Sequence, residues 1–201
     1  MRCVGDDLCL LMALRVQGLA APERAAAAAG LDDLTASARL EELERAELAK
    51  QRTGKRCGYM LTPAGAERLE ELLAQEGLRT SERLTDAYER FMLLNERVLK
   101  VCSEWQLREG DVPNDHADPD YDAAVIDRLT ELHRRCGKGV GAFAEHAARY
   151  APYATRLDDC VERLHAGDRT AFTAVMAESY HTVWFELHQD LLLTLGLKRE
   201  G

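Results

Sequence analysis

The chain has 201 residues, 35 of them acidic and 26 basic, giving a formal net charge of −9 at pH 7. Hydrophobic residues at 46% against charged residues at 30% describe a globular chain that can bury a core in one domain or two small ones, and exclude an intrinsically disordered tail. Alanine, leucine, arginine and glutamate dominate, which favours helix, and no run of eighteen apolar residues offers a membrane span.

The opening stretch, "MRCVGDDLCLLMALRVQGLA", places two aspartates before its apolar residues and has no convincing cleavage site, so no signal peptide is expected. Leu8, Leu11, Met12, Arg15 and Val16 fall at helical spacing and predict a first helix from Asp7 to about Gly18. Pro22 suits the first turn of a second, alanine-rich helix, "PERAAAAAG", and Gly30 suits its exit. A third helix follows in "LDDLTASARLEELERAELA", with Leu34, Ala38, Leu40 or Glu41, Leu43 and Leu48 as a partial apolar stripe. "AKQR" and "GYMLT" then read as two strands joined by "TGKRC", where Gly54 and Gly58 supply turn conformations. Thr62 fits as an N-cap, with Pro63 at the first position of the helix "PAGAERLEELLAQEG". Three helices, a basic hairpin and a fourth helix form the order of a winged helix-turn-helix.

On "SARLEELERAELAKQR" entering the hairpin and "GYMLTPAGAERL" leaving it, residues 6 to 77 resemble the winged-helix transcriptional regulators of the MarR type. The resemblance implies a third helix in the major groove of DNA and a wing against the backbone or minor groove. At the matching positions it implies base contacts from Thr35, Ser37 and Arg39 and wing contacts from Arg52, Lys55 and Arg56, to which the basic cluster adds Lys50 as a DNA-binding candidate. The wing departs from the family pattern Asp-x-Arg, having Lys55-Arg56-Cys57.

The charge distribution supports that placement. Lys50, Arg52, Lys55 and Arg56 fall within seven positions, and no carboxylate follows until Glu67, although residues 1 to 78 hold ten basic and thirteen acidic residues. DNA affinity comes mainly from cations facing phosphates, so an acidic domain must gather its cations on one surface. The competing reading is a solvated hairpin whose basic residues block a free strand edge. Asp32, Asp33, Glu41, Glu42, Glu44 and Glu47 make the third helix acidic, which predicts poor non-specific affinity.

Beyond Gly77 the pattern predicts an all-helical bundle. In "ERLTDAYERFMLLNERVLKVCSEW" a seam of Leu84, Ala87, Phe91, Leu94, Val98, Val101 and Trp105 adjoins a second face of Tyr88, Met92, Leu99 and Cys102, so this helix is expected to be central. In "REGDVPNDHADPDYDAA", Asp118 as N-cap and Pro119 at the first helical position explain residues that otherwise resemble a calcium loop, which would need glycine at Ala123 and glutamate at Leu129. The next helix carries Val125, Leu129, Leu132 and Cys136 to "CGKGVGAF", where three glycines predict a break or a close helix approach. Two helical pieces hinged at Pro152 follow, then one long helix over "DRTAFTAVMAESYHTVWFELHQDLLLTLG".

Tyr180, His181, Trp184 and His188 on that last helix are the effector-binding candidates, set against a plain core helix with satisfied histidines. "LHAGDRTAFTAVMAESYHTVW" looks a little like the last helix pair of GntR-type effector domains, but their metal-binding histidines have no match, so no metal is expected. Cys3, Cys9, Cys57, Cys102, Cys136 and Cys160 include no C-x-x-C pair and are expected to be reduced thiols of a cytoplasmic protein.

The sequence therefore predicts a mainly α protein: a winged helix-turn-helix at 1–78, with three helices and a two-stranded wing, then an all-α domain at 79–201 that dimerises and binds an effector. The expected role is a homodimeric DNA-binding transcription regulator acting on operator DNA, without cofactor or enzymatic activity. The alternatives are a protein-interaction module that no longer binds DNA, or an enzyme or metal-binding bundle using His133, His181 or His188 with Glu178.

Overall fold

A computed structural model describes residues 4–109, 112–175 and 177–198. The chain is mainly helical with small antiparallel strand pairings. It forms two compact units. One holds the described residues up to Glu82 together with Ala147–Pro152 and the chain from Glu186 onward; the other holds Arg83–His146 and Tyr153–Phe185. A single boundary at 78/79 was the expectation. The two later segments join the first unit because they supply part of its packing, through Leu193, and several of its ion pairs.

In the first unit, helix α1 (Val4–Gln17) starts earlier than its apolar pattern suggested. Leu10, Leu11, Met12, Ala13 and Leu14 are all buried, so this helix is apolar on every side and forms the middle of the unit. Helix α2 (Pro22–Ala29) packs through Ala25, Ala26, Ala28 and Ala29, whose small side chains permit close approach. It ends at Gly30, which adopts a left-handed conformation while the Leu31 amide donates to the Ala26 carbonyl. Helix α3 (Asp33–Arg45) buries Ala36, Leu40 and Leu43, one face at spacings of four and three. Of the expected stripe, Leu40 and Leu43 are buried and Leu48 packs against the core, but Leu34 is 85% exposed and Ala38 is also exposed.

Strands β2 (Ala49–Arg52) and β3 (Gly58–Leu61) pair antiparallel, Ala49 opposite Leu61 and Arg52 opposite Gly58. A short strand β1 (Leu19–Ala20) adds to the far side of β3, so the sheet has three strands in the order β1-β3-β2 rather than the two expected. Gly58 sits where β1 crosses, at φ 152, and a Cβ there would strike the Ala20 carbonyl. Helix α4 (Pro63–Glu76) starts from Thr62, whose hydroxyl accepts from the Gly65 amide at 3.0 Å. Gly65 is required as well, because a Cβ would collide with the Leu48 carbonyl.

In the second unit, α5 (Glu82–Gln106) buries Leu84, Phe91, Asn95, Val98, Val101, Cys102 and Trp105, close to its predicted seam. The unit is not purely helical. Strands β4 (Leu107–Arg108) and β5 (Val112–Pro113) form a two-residue hairpin, where Pro113 sits at an edge that needs no donor. Helix α6 (Pro119–Ala142) is capped by Asp118, which accepts from the Tyr121 amide at 3.1 Å. It runs unbroken through Gly137, Gly139 and Gly141, and only Gly139 faces a neighbour, Leu94. Two 3₁₀ turns lead to α7 (Ala151–His165), with Pro152 in its first turn rather than at a hinge.

The predicted final helix is two. A single turn, α8 (Thr170–Thr173), precedes α9 (Tyr180–Leu195). Ser179 and Thr182 exchange side-chain-to-backbone bonds, Ser179 N to Thr182 Oγ1 at 2.9 Å and Thr182 N to Ser179 Oγ at 3.3 Å, a reciprocal cap that starts a new helix. Among the described residues no helix is long and apolar enough to cross a membrane. Cys3 lies outside the described residues.

Candidate functional site

The candidate nucleic-acid surface is made by α3 and the β2–β3 hairpin. At the start of α3, Asp32 accepts from the Thr35 amide at 2.9 Å and from the Thr35 hydroxyl at 2.7 Å. Those two donors, the amide first, hold the Asp32 carboxyl below the usual carboxylate range. Thr35 is thus committed to the helix cap. Ser37 is half-buried.

Arg39 turns inward. Its Nη2 donates to Asp7 on α1 and its Nη1 to Glu42, both at 2.5 Å, and its side chain is only 16% exposed. Geometry gives it a positioning role, fixing α3 on α1. The outward face of α3 instead carries Leu34, Ala38, Glu41, Glu42 and Arg45, all exposed. Sequence reasoning placed Leu34 in the core stripe and gave Arg45 no role. The signal that could have found them is the phase of Ala36, Leu40 and Leu43, which leaves Leu34 on the opposite side.

The hairpin behaves differently. Lys50, Arg52, Lys55 and Arg56 are exposed, and none of their side chains has a hydrogen bond or ion pair among the described residues. Five other arginines of the unit are engaged, Arg24 with Glu186, Arg39 as above, Arg68 with Glu71, Arg79 with Glu70, and Arg149 with Glu76 and Asp190. Arg15 and Arg45, by contrast, are exposed and unpaired among the described residues, like the hairpin cations. The outer edge of β2 is already occupied near its middle, where the Gln51 amide donates to Glu44 at 2.9 Å.

Three of the four residues expected to bind an effector are core residues. Tyr180 and Trp184 are 0% and 1% exposed, and His188 is buried. The Trp184 indole donates to Asn95 at 2.9 Å, and its ring stacks on Phe91 with centroids 4.8 Å apart. Burial pushes the Tyr180 hydroxyl well above its ordinary pKa, and its oxygen lies 3.4 Å from His133, which meets Asp158 on its other nitrogen. His181 is partly exposed, and His188 belongs to the first unit while Tyr180, His181 and Trp184 belong to the second. A ligand would have to displace well-packed aromatic rings to reach Tyr180 or Trp184.

Glu178 pairs with Arg156 at 3.0 Å. Among the described residues no group of three or more His, Cys, Asp or Glu is placed to hold a metal ion. Compared with known protein families, curated proteins and solved structures, the chain matches none.

Proposed function

We propose that the protein is a DNA-binding transcription regulator whose first unit is a winged helix-turn-helix. In this reading α2 and α3 are the helix pair, the β2–β3 hairpin is the wing, and α3 enters the major groove. The observation that carries it is the set of four unpaired, exposed cations on the hairpin of a chain with net charge −9. Cations left without intramolecular partners are free to displace counterions from phosphates. Satisfaction of the Gln51 amide by Glu44 weakens the alternative that these cations exist to block the edge. The order of elements resembles MarR-type regulators, although Lys55-Arg56-Cys57 stands where their wing has Asp-x-Arg.

On α3, Leu34 offers an apolar contact for a thymine methyl and Glu41 an acceptor for a cytosine amino group. The acidic remainder of that helix keeps non-specific binding weak. The second unit is assigned to dimerisation, with Leu93 and Leu99 exposed on α5, and to small-molecule control. Selection of bound duplexes from a random pool tests the DNA reading, and recovery of no enriched sequence would oppose it.

One observation favours a second reading. Leu34 stands 85% exposed among Asp33, Glu41 and Glu42, which suits a basic protein groove as well as DNA. Absence of DNA binding even at low salt would favour this protein-interaction role.

A further inference from the structure

Within the second unit, α5, α6 and the turn after α6 enclose a cavity of ≈ 630 Å³. That volume lies in the range of small-molecule sites. Its floor is apolar, made by Phe91, Leu94, Val140 and Phe143. Phe91 and Phe143 meet edge to face with ring centroids 6.1 Å apart.

The rim is cationic. Arg83, Arg90 and Arg97 line the cavity, and their spacing of seven residues puts them on one face of α5, about 10 Å apart along the helix. None of the three has a hydrogen bond or ion pair among the described residues. The other arginines of this unit all do: Arg108 with Asp118, Arg128 with Glu104, Arg134 and Arg135 with Glu131, Arg156 with Glu178, Arg163 with Asp168 and Arg169 with Asp122. Thus the unpaired guanidinium groups of the unit collect at one cavity. Asp86, Glu145 and His146 also line it; three arginines less two carboxylates leave an excess of one positive charge with His146 neutral.

We infer that this cavity binds an amphipathic organic carboxylate, its apolar body on the phenylalanine floor and its carboxylate on a guanidinium of the Arg83–Arg90–Arg97 rail. A guanidinium matches a carboxylate in two parallel hydrogen bonds, while the floor supplies affinity that an inorganic anion lacks. The carboxylate takes one guanidinium at a time, since the three are too far apart to share it. This deepens the proposed effector control and rests on that reading only for its regulatory meaning.

The test uses the full chain without DNA. Trp184 stacks on Phe91 of the floor, so its fluorescence reports occupancy. Decanoate and phenylacetate are titrated beside their neutral counterparts, 1-decanol and phenylacetamide. At least one carboxylate should bind saturably, about tenfold or more tighter than its neutral partner, and the stronger of the two identifies an alkyl or an aromatic body. Replacing Arg83, Arg90 and Arg97 together by Gln should abolish that preference without lowering Tm, because all three are exposed. Gly139→Leu, at the cavity wall, should block binding. Equal affinity for the neutral compounds, an unchanged preference in the triple variant, or no saturable signal with either carboxylate would overturn the assignment. Carboxylate binding that leaves DNA affinity unchanged would uphold the site and count only against its regulatory meaning.

Discussion

Arg149 Nη1 and Asp190 Oδ1 lie 2.5 Å apart, with side chains 5% and 2% exposed. The same guanidinium donates to Glu76 at 2.9 Å, to the Thr194 hydroxyl at 2.7 Å and to the Tyr150 hydroxyl at 3.0 Å. Burial opposes its charge, but Asp190, the Tyr150 hydroxyl and Glu76 together hold its pKa above the ordinary arginine value. One side chain therefore ties three distant segments of the first unit together: the end of α4, the stretch before α7 and the last helix.

Removing that tie leaves the buried Asp190 carboxylate, and the largely buried Glu76, without the Arg149 charge. Arg149→Ala should lower the unfolding free energy by about 3–5 kcal/mol in urea titration. Arg149→Lys should recover only part of this, since an ammonium cannot present the same planar fork of donors. A loss below about 1 kcal/mol would mean the network is exposed in solution.

Arg39 should matter for stability and not for base choice. Arg39→Ala removes a half-buried pair with Asp7 and the adjoining pair with Glu42, and should cost about 1 kcal/mol. The preferred DNA sequence should be unchanged, whereas Leu34→Ser should relax it. A shift in preference on Arg39→Ala, measured by sequence selection, would return that residue to the DNA interface.

The sequence revealed the first unit through its punctuation. Pro22, Gly30, Thr62-Pro63 and Gly77 mark helix ends by local chemistry, and they sit where expected. Phase was harder. Leu34 reads as a core residue by type, yet burial follows Ala36, Leu40 and Leu43 because the fold fixes which face turns inward. The split between α8 and α9 depended on a reciprocal Ser179–Thr182 cap that a long apolar pattern hides. Among candidate site residues, the hairpin cations were legible because exposure of a charged hairpin needs no tertiary information. Trp184 and Tyr180 were not, because an aromatic helix face reads alike whether it lines a cavity or packs against Phe91. The Arg83–Arg90–Arg97 rail was visible as a heptad of cations, but nothing local said that those three would lack partners.

Cysteine reactivity should separate one thiol from its neighbours. Burial pushes Cys9 and Cys136 up to about 11 and Cys102 and Cys160 up to about 12, while Cys57 is exposed on the β2–β3 hairpin. Among these five, only Cys57 should react rapidly with a thiol reagent at pH 8. Raised thiol pKa values stabilise the fold fully below pH 9, and that stability is lost as pH rises from 9 through about 11–12. Fast labelling of Cys102 in the native protein would contradict its burial.

Dimerisation through the second unit predicts that Leu93→Glu with Leu99→Glu shifts the full chain toward monomer in sedimentation. Both side chains are exposed, so the fold should survive. An unchanged dimer would place the interface elsewhere, and a monomeric parent chain would remove the homodimer from the account.

The most direct test of DNA binding is the salt dependence of affinity for a selected duplex, compared between the parent chain and Lys55→Ala with Arg56→Ala. Loss of two phosphate contacts should flatten the slope of log K against log salt by about 1.8 and weaken all sequences alike. A parent chain that binds with an unchanged slope after both substitutions, or that selects no duplex, would contradict the wing's role.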